Sequence, residues 1–280
     1  AIFQPDIEQV KAVVQANVAV GYYDTANEAN PFRDWYHVVI PYCTGDIHWG
    51  DNVATYGRGD SEITIHHKGA VNSRAVLDWV YGNFREPDQI FMTGCSAGSY
   101  GSAMWAPHVI QHYPLSTVVQ FGDSGAGVIT KDFFEESFPS WKADSAFPTW
   151  IDSLDPTKVN LLDLELADLY IGMANHYPDN NFSQYNTSFD ENQVFYFQTM
   201  GGGDKTEWSK QMHTSIERIE ANTDNFGAFI AAGEQHCILH FPNFYTVDAG
   251  GKKLVDWLSD MLESAPTSSM KCESCDGKTP

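Results

Sequence analysis

Positive charge is scarce in this sequence: sixteen Lys plus Arg stand against thirty-seven Asp plus Glu, a formal charge of −21 over 280 residues. Phosphate backbones and anionic bilayer surfaces are repelled by such a chain at low ionic strength, which sets aside nucleic acid as a partner. Also lacking is any run approaching the roughly 18 apolar residues that a membrane span needs. No cationic stretch followed by an apolar one opens the sequence and no Met precedes Ala1, so Ala1 reads as a processed start or a boundary. Internal repeats and low-complexity tracts are missing as well. What remains, 42% hydrophobic and 19% charged, is the composition of a folded globular chain long enough for a single large α/β domain over residues 1–280.

Cysteine is sparse and odd in number: Cys43, Cys95, Cys237, Cys272 and Cys275. One of the five must be free or pair outside the chain. Cys272-x-x-Cys275 has no second ligand pair, which argues against a zinc site and for a tail disulfide or a link to elsewhere. Two sequons, at Asn181 and Asn186, fall in what reads as one polar loop and suggest a glycosylated, exported protein.

Five apolar runs have the look of buried parallel strands: 37–40, 89–93, 117–121, 194–199 and 226–232. Helical patterns lie between them. Residues 72–84 carry a stripe at Ala75, Val76, Trp79 and Val80, 97–113 follow the second strand directly, and 207–221 and 253–263 complete the set. The expected class is α/β, a mostly parallel central sheet flanked by helices. Between 131 and 192 the strand rhythm stops and Phe, Trp, Leu and Asp accumulate, which predicts a helical cap inserted over the sheet.

Gly94-Cys95-Ser96-Ala97-Gly98 matches the G-x-S-x-G elbow, in which a serine occupies a strained turn from strand to helix. Here a strand precedes and a helix follows. Ser96 is therefore the expected nucleophile, and the Ala97 amide at the helix N-terminus the expected oxyanion donor. Gly122-Asp123-Ser124-Gly125 is similar to the GDSG of trypsin-like proteases, but that fold is all-β, so Ser124 is set aside.

A serine hydroxyl needs a base to take its proton, and the resulting imidazolium needs a carboxylate behind it. On α/β-hydrolase sheets these partners follow the serine in the order acid, then histidine, on loops at strand ends. The run Met200-Gly201-Gly202-Gly203-Asp204 offers Asp204 as the acid, with helix capping as its rival role. Gly233-Glu234-Gln235-His236 offers His236 as the base, ahead of His240 and His213. His66 and His67 precede a helix and read as packing or polar contacts; no metal and no organic cofactor is implied.

Taken together, Tyr42-Cys43-Thr44-Gly45-Asp46, the elbow, Gly122-Asp123-Ser124-Gly125 and the His236-Cys237 loop resemble the pectin acetylesterase and Notum family of carboxylester hydrolases. The resemblance spans nearly the whole chain. It implies an α/β-hydrolase fold, a Ser96, Asp204 and His236 triad, and a pocket shaped by Tyr42, Asp46 and Asp123. It also implies removal of an acetyl or longer acyl group from an extracellular carbohydrate, lipidated or small ester substrate by a secreted enzyme.

One departure stands out. Family members have an upstream strand ending in a Gly-Gly turn whose amides complete the oxyanion hole, and no such turn precedes Asp46. Two readings follow: a second short chain from the same precursor, disulfide-linked through the odd cysteine, or a descendant that has lost the strand and serves as a binding subunit. Losing one oxyanion donor costs about 2.7 to 4 kcal/mol of transition-state stabilisation.

Overall fold

The computed structural model describes residues 20–263, 268–273 and 275. The helix-and-loop reading of the first thirty residues falls mostly outside them. Residues 20–35 form a short 3-10 helix, Gly21–Tyr23, and turns, held by Asn30, whose Nδ2 donates to the carbonyls of Tyr22 and Asp24 at 2.9 Å each.

A hairpin, β1 (Asn52–Tyr56) with β2 (Ile63–His67), precedes helix α1 (Gly69–Asn83). Then come β3 (Gln89–Cys95), α2 (Ala97–His112), β4 (Thr117–Asp123), α3 (Lys131–Trp141), α4 (Leu166–His176), β5 (Asn181–Thr187), α5 (Glu191–Thr199), α6 (Lys205–Glu220) and β6 (Phe226–Ala231). The two-residue strands β7 (Asp248–Ala249) and β8 (Lys252–Lys253) pair with each other, α7 spans Leu254–Leu262, and β9 is Met270–Lys271. Among the described residues the main sheet has the order β3-β4-β5-β6-β9, every pair parallel.

Parallel strands covered by helices on both faces are mostly apolar on both, as β6 is and as β4 is apart from the buried Gln120. Successive residues point to opposite faces: Val118 joins one core with α2 and α4, while Val119 and Phe121 join a second core with α7, Tyr22 and Phe32. Helix α7 buries Leu254, Val255, Trp257, Leu258, Met261 and Leu262, a stripe at helical spacing. Truncating a fully buried leucine such as Leu258 to Ala costs about 2–5 kcal/mol in such a setting.

Strands β3, β4 and β6 and helices α1, α2, α6 and α7 fall where the sequence pattern puts them. Three segments differ. Residues 37–40 are not a strand: they have no regular structure, and Val38 and Val39 are exposed. Residues 181–187, expected as a polar loop, are the buried central strand β5. Most of its polar side-chain atoms are bonded internally: Ser183 Oγ donates to the Gln120 carbonyl at 2.7 Å, and Asn186 Nδ2 to Gln184 Oε1 at 3.3 Å, while Gln184 Nε2 is buried without a partner. Residues 194–199, expected as a strand, are the body of helix α5, started by Asp190, whose Oδ1 accepts from the amides of Asn192 and Gln193.

These differences correct two further expectations. The sequon residues do not sit in a loop: Asn186 is fully buried in β5, and Asn181 opens the same strand, its Nδ2 donating to the Met261 carbonyl at 3.4 Å. A glycan on Asn186 is sterically incompatible with this sheet. The cap expected over 131–192 is interrupted by the sheet itself, because β5 lies inside it; of the rest, α4 packs on β5 and α3 on the hairpin strand β1.

Two disulfides are present, Cys95–Cys237 and Cys272–Cys275, so the tail pair bridges locally and Cys43 is the free thiol. No helix of the described residues is long and apolar enough to cross a membrane.

Candidate active site

A cavity of about 1150 Å³ runs along the whole of β3, from Gln89 to Cys95, and ends at the elbow. Ser96, Ala97, His236 and Ser124 line it, together with Tyr42 and a largely apolar wall that includes Phe91, Trp105 and, from α3, Phe133 and Trp141.

Ser96 sits between the last residue of β3 and the first of α2 with φ 57° and ψ −116°. That left-handed geometry is uncommon for a residue with a side chain and is the strain expected of a nucleophile elbow. It is held by hydrogen bonds on both sides: the Ser96 amide donates to the Asp123 carbonyl at 2.8 Å, and the Ser99 amide to the Ser96 carbonyl at 2.9 Å. The small neighbours are required by space. A Cβ on Gly94 would lie 2.3 Å from the Gly98 carbonyl oxygen, so strand and helix approach each other backbone to backbone. Ala97 is the first residue of α2, where an amide has no partner within the helix.

His236 lies on the loop after β6, as expected. Its partner is different. Nδ1 is 2.9 Å from both carboxylate oxygens of Asp190, and since a carboxylate only accepts, Nδ1–H is the donor; in the neutral ring the lone pair is then on Nε2. Asp190 is fully buried and receives further bonds from the amides of Asn192 and Gln193 and from Gln193 Nε2. Nε2 of His236 is buried with no hydrogen-bond partner. Ser96 and His236 thus face one cavity without a hydrogen bond between them; catalytic hydrogen bonds commonly tighten only when substrate is bound.

Asp204 is corrected by this geometry. It is exposed, and its Oδ1 accepts from the amides of Thr206 at 2.9 Å and Glu207 at 3.0 Å as the N-cap of α6. Its rival role is the one realised. The carboxylate that the sequence reading missed is Asp190, which follows β5 directly, and the signal was the polar makeup of β5, read as loop.

The expected pocket residues divide. Tyr42 lines the cavity; its hydroxyl accepts from the Ile47 amide at 2.9 Å, and burial pushes its pKa up to about 12. Asp46 and Asp123 lie behind the wall. Asp46 is fully buried and ties the 44–50 loop to α1, accepting from the amides of His48 at 3.2 Å and Gly69 at 2.7 Å. Asp123 accepts from the amides of Ile238 and Leu239, both at 3.0 Å to Oδ2. Burial pushes the Asp123 carboxyl up to about 6, against the pull of those two amides. Ser124 is buried, and its Oγ accepts from the Cys237 amide at 2.8 Å, a loop anchor.

Two other candidate histidines, His67 and His240, have structural contacts. His67 Nδ1 meets the Thr44 carbonyl at 3.0 Å and its Nε2 the Tyr56 hydroxyl at 2.7 Å. His240 lies against the rings of Tyr22 and Tyr23, and burial lowers its pKa. Ligand atoms of Cys95, His236 and Cys237 lie within 4.8 Å of one another, but the two sulfurs are joined to each other.

A parallel sheet with helices on both faces and a strained serine between strand and helix is the architecture of the α/β-hydrolases. The pectinacetylesterase family profile matches residues 11–146. Among solved structures, the Wnt deacylase Notum from Drosophila is similar in two crystal forms. The first has a TM-score of 0.63 at 16% identity, over 99% of this chain and 86% of that one. The second gives the same score and identity over 92% and 77%. No curated protein matches the sequence. The profile thus covers the N-terminal part of the chain, and the fold as a whole is similar to that of Notum.

Proposed function

We propose that the chain is a serine carboxylesterase working through an acyl-Ser96 intermediate, with His236 as general base and Asp190 as the acid that orients it. The observation that carries this reading is the state of His236. One ring nitrogen is gripped by a buried carboxylate, which fixes the tautomer, and the other is left as an unpartnered base at the cavity that Ser96 lines.

In the first half-reaction Nε2 takes the Ser96 proton as Oγ attacks the ester carbonyl. The oxyanion develops toward the Ala97 amide at the positive end of α2. Collapse expels the alcohol, which takes its proton from the imidazolium; Asp190 stays ionised behind it. Water then attacks the acyl-enzyme by the same route. The apolar side chains of Phe133 and Trp141, which line the same cavity as Ser96, favour an acyl group longer than acetyl, since apolar burial is worth about 25 cal/mol per Å². Two disulfides fit an oxidising, extracellular location.

A fluorophosphonate probe tests this directly, and mass spectrometry should find the adduct on Ser96 and none on Ser96→Ala. A folded wild-type protein that stays unlabelled sinks the reading. A nitrophenyl ester series then measures acyl preference, with kcat/KM expected to rise from acetyl toward longer chains.

A further inference from the structure

The loop that carries His236 has to travel. In the sheet order β3-β4-β5-β6, the strand before it is separated from the strand before Ser96 by two others. Its hydrogen bonds stop short of β3. The Gln235 carbonyl accepts from Thr187 Oγ1 at the end of β5, and His236 meets Asp190. The amides of Cys237, Ile238 and Leu239 end on Ser124 and Asp123 at the end of β4. Among the described residues none of 235–239 makes a hydrogen bond to β3 or to Ser96, and Nε2 has no partner to fix its distance from the serine. What completes the crossing is a covalent bond. Cys95, the residue before Ser96, is joined to Cys237, the residue after His236, across 142 positions with 5.7 Å between Cα atoms. Cys237 is itself held in the left-handed region at φ 60°, a conformation a side-chain residue keeps only when its surroundings over-determine it.

We propose that the Cys95–Cys237 disulfide is the positioning element of the active site, setting the base loop in register with the nucleophile elbow, and that its reduction switches the enzyme off reversibly. This rests on the esterase reading above. In the off-step a dithiol supplies the electrons: one thiolate attacks a disulfide sulfur, the S–S bond breaks to a mixed disulfide, and the second thiol closes a cyclic disulfide. Cys95 and Cys237 are released as thiols carrying two protons and two electrons. The carboxylate clamp on His236 is untouched, so the imidazole stays oriented while the nucleophile and base loops lose their covalent register. A displacement of about 1 Å between reacting groups costs on the order of 10²-fold in rate.

The test uses the full chain bearing Cys43→Ser, Cys272→Ser and Cys275→Ser, leaving one disulfide and no other thiol. A chelator is present throughout, because the freed sulfurs and His236 are close enough to trap a metal. Reduction with dithiothreitol should lower kcat about 10²-fold with KM within about threefold, and slow fluorophosphonate labelling to match. Reoxidation, or bridging the two thiols with one methylene from dibromomethane, should restore most of the rate; capping each thiol with iodoacetamide should not. Near-UV circular dichroism is recorded on every form, and a Cys95→Ala/Cys237→Ala variant serves as a second reduced state. Retention of kcat within about threefold in a folded reduced form overturns the proposal. So does activity that falls in strict proportion to the near-UV signal in both reduced states, which makes the bridge a staple of the fold alone. If the oxidised protein neither hydrolyses esters nor labels, the esterase reading itself has failed, an outcome distinct from a labelled protein indifferent to reduction.

Discussion

Both carboxylate oxygens of Asp190 lie 2.9 Å from Nδ1 of His236, 46 positions along the chain, so the imidazole is held with its other nitrogen free. The same carboxylate starts helix α5, which ties the direction of the base to the beginning of a helix that cannot shift without breaking its cap.

This pairing separates two acids that sequence order alone confuses. Asn is as good an N-cap as Asp, so Asp190→Asn should keep α5 and fold. It presents an amide where the ring needs a pure acceptor, and kcat should fall about 10³- to 10⁴-fold, the scale seen when the orienting acid of a triad is neutralised. Asp204→Ala should cost about 1 kcal/mol of stability for a lost cap and leave kcat within about threefold. Steady-state ester hydrolysis and urea unfolding on the two variants decide it; a Asp190→Asn enzyme of normal rate beside a dead Asp204→Ala enzyme reverses the assignment.

The elbow gives a sharper steric forecast. A methyl group at position 94 would sit 2.3 Å from the carbonyl oxygen and 2.7 Å from the Cα of Gly98, both backbone atoms. Neither can swing aside, so Gly94→Ala should lose more than about 2 kcal/mol and leave Ser96 unlabelled. At Gly98 a Cβ meets nothing within 4 Å, and Gly98→Ala should fold with stability unchanged or raised by up to about 1 kcal/mol. Equal tolerance at the two positions, by thermal melting, contradicts the packed elbow.

The elbow was legible because its requirement is local: small residues, a strand before, a helix after. Strands β4 and β6 were legible because their apolar runs are buried on both faces. Strand β5 was not. Its sequence Asn-Phe-Ser-Gln-Tyr-Asn-Thr reads as loop unless one knows that Gln120 and Gln193 supply the partners that make a buried polar strand affordable. The aromatic run 194–199 then took its place as the expected strand, although Phe195 and Tyr196 face solvent on a helix. The rule that the acid follows a strand end holds here; applied one element too late, it selected Asp204 instead of Asp190.

Asp123 makes the stability of the site depend on pH in an unusual direction. Its carboxyl is pushed up to about 6 from 3.8 by burial, so the native state holds a proton that the unfolded chain has released. A raised acid contributes stability below its unfolded value and loses that contribution as pH rises through the folded value. The Asp123→Asn variant has no such group. The stability advantage of wild type over Asp123→Asn should therefore shrink between pH 4 and pH 7, by about 1–3 kcal/mol. Denaturant melts of both oxidised proteins at the two pH values measure it, and an advantage that is flat or grows with pH refutes the shift.

Asn186 belongs to the site and not to the surface. Its Oδ1 accepts from Gln193 Nε2 at 3.0 Å, the same group donates to Asp190 Oδ2 at 3.0 Å, and Asp190 holds His236. A glycan there has no room in a strand paired on both sides, so protein made in a glycosylating host should yield the peptide containing Asn186 unmodified by mass spectrometry. Replacing Asn186 with Ala leaves Gln193 with Asp190 as its one remaining acceptor and strips Gln184 of a donor. The cost should be about 1–3 kcal/mol of stability, with kcat reduced because the amide that braces Asp190 is loosened. An occupied sequon at 186 on active, folded protein is incompatible with β5 as the central strand, and with it the path from β5 to Asp190 on which the orientation of His236 depends.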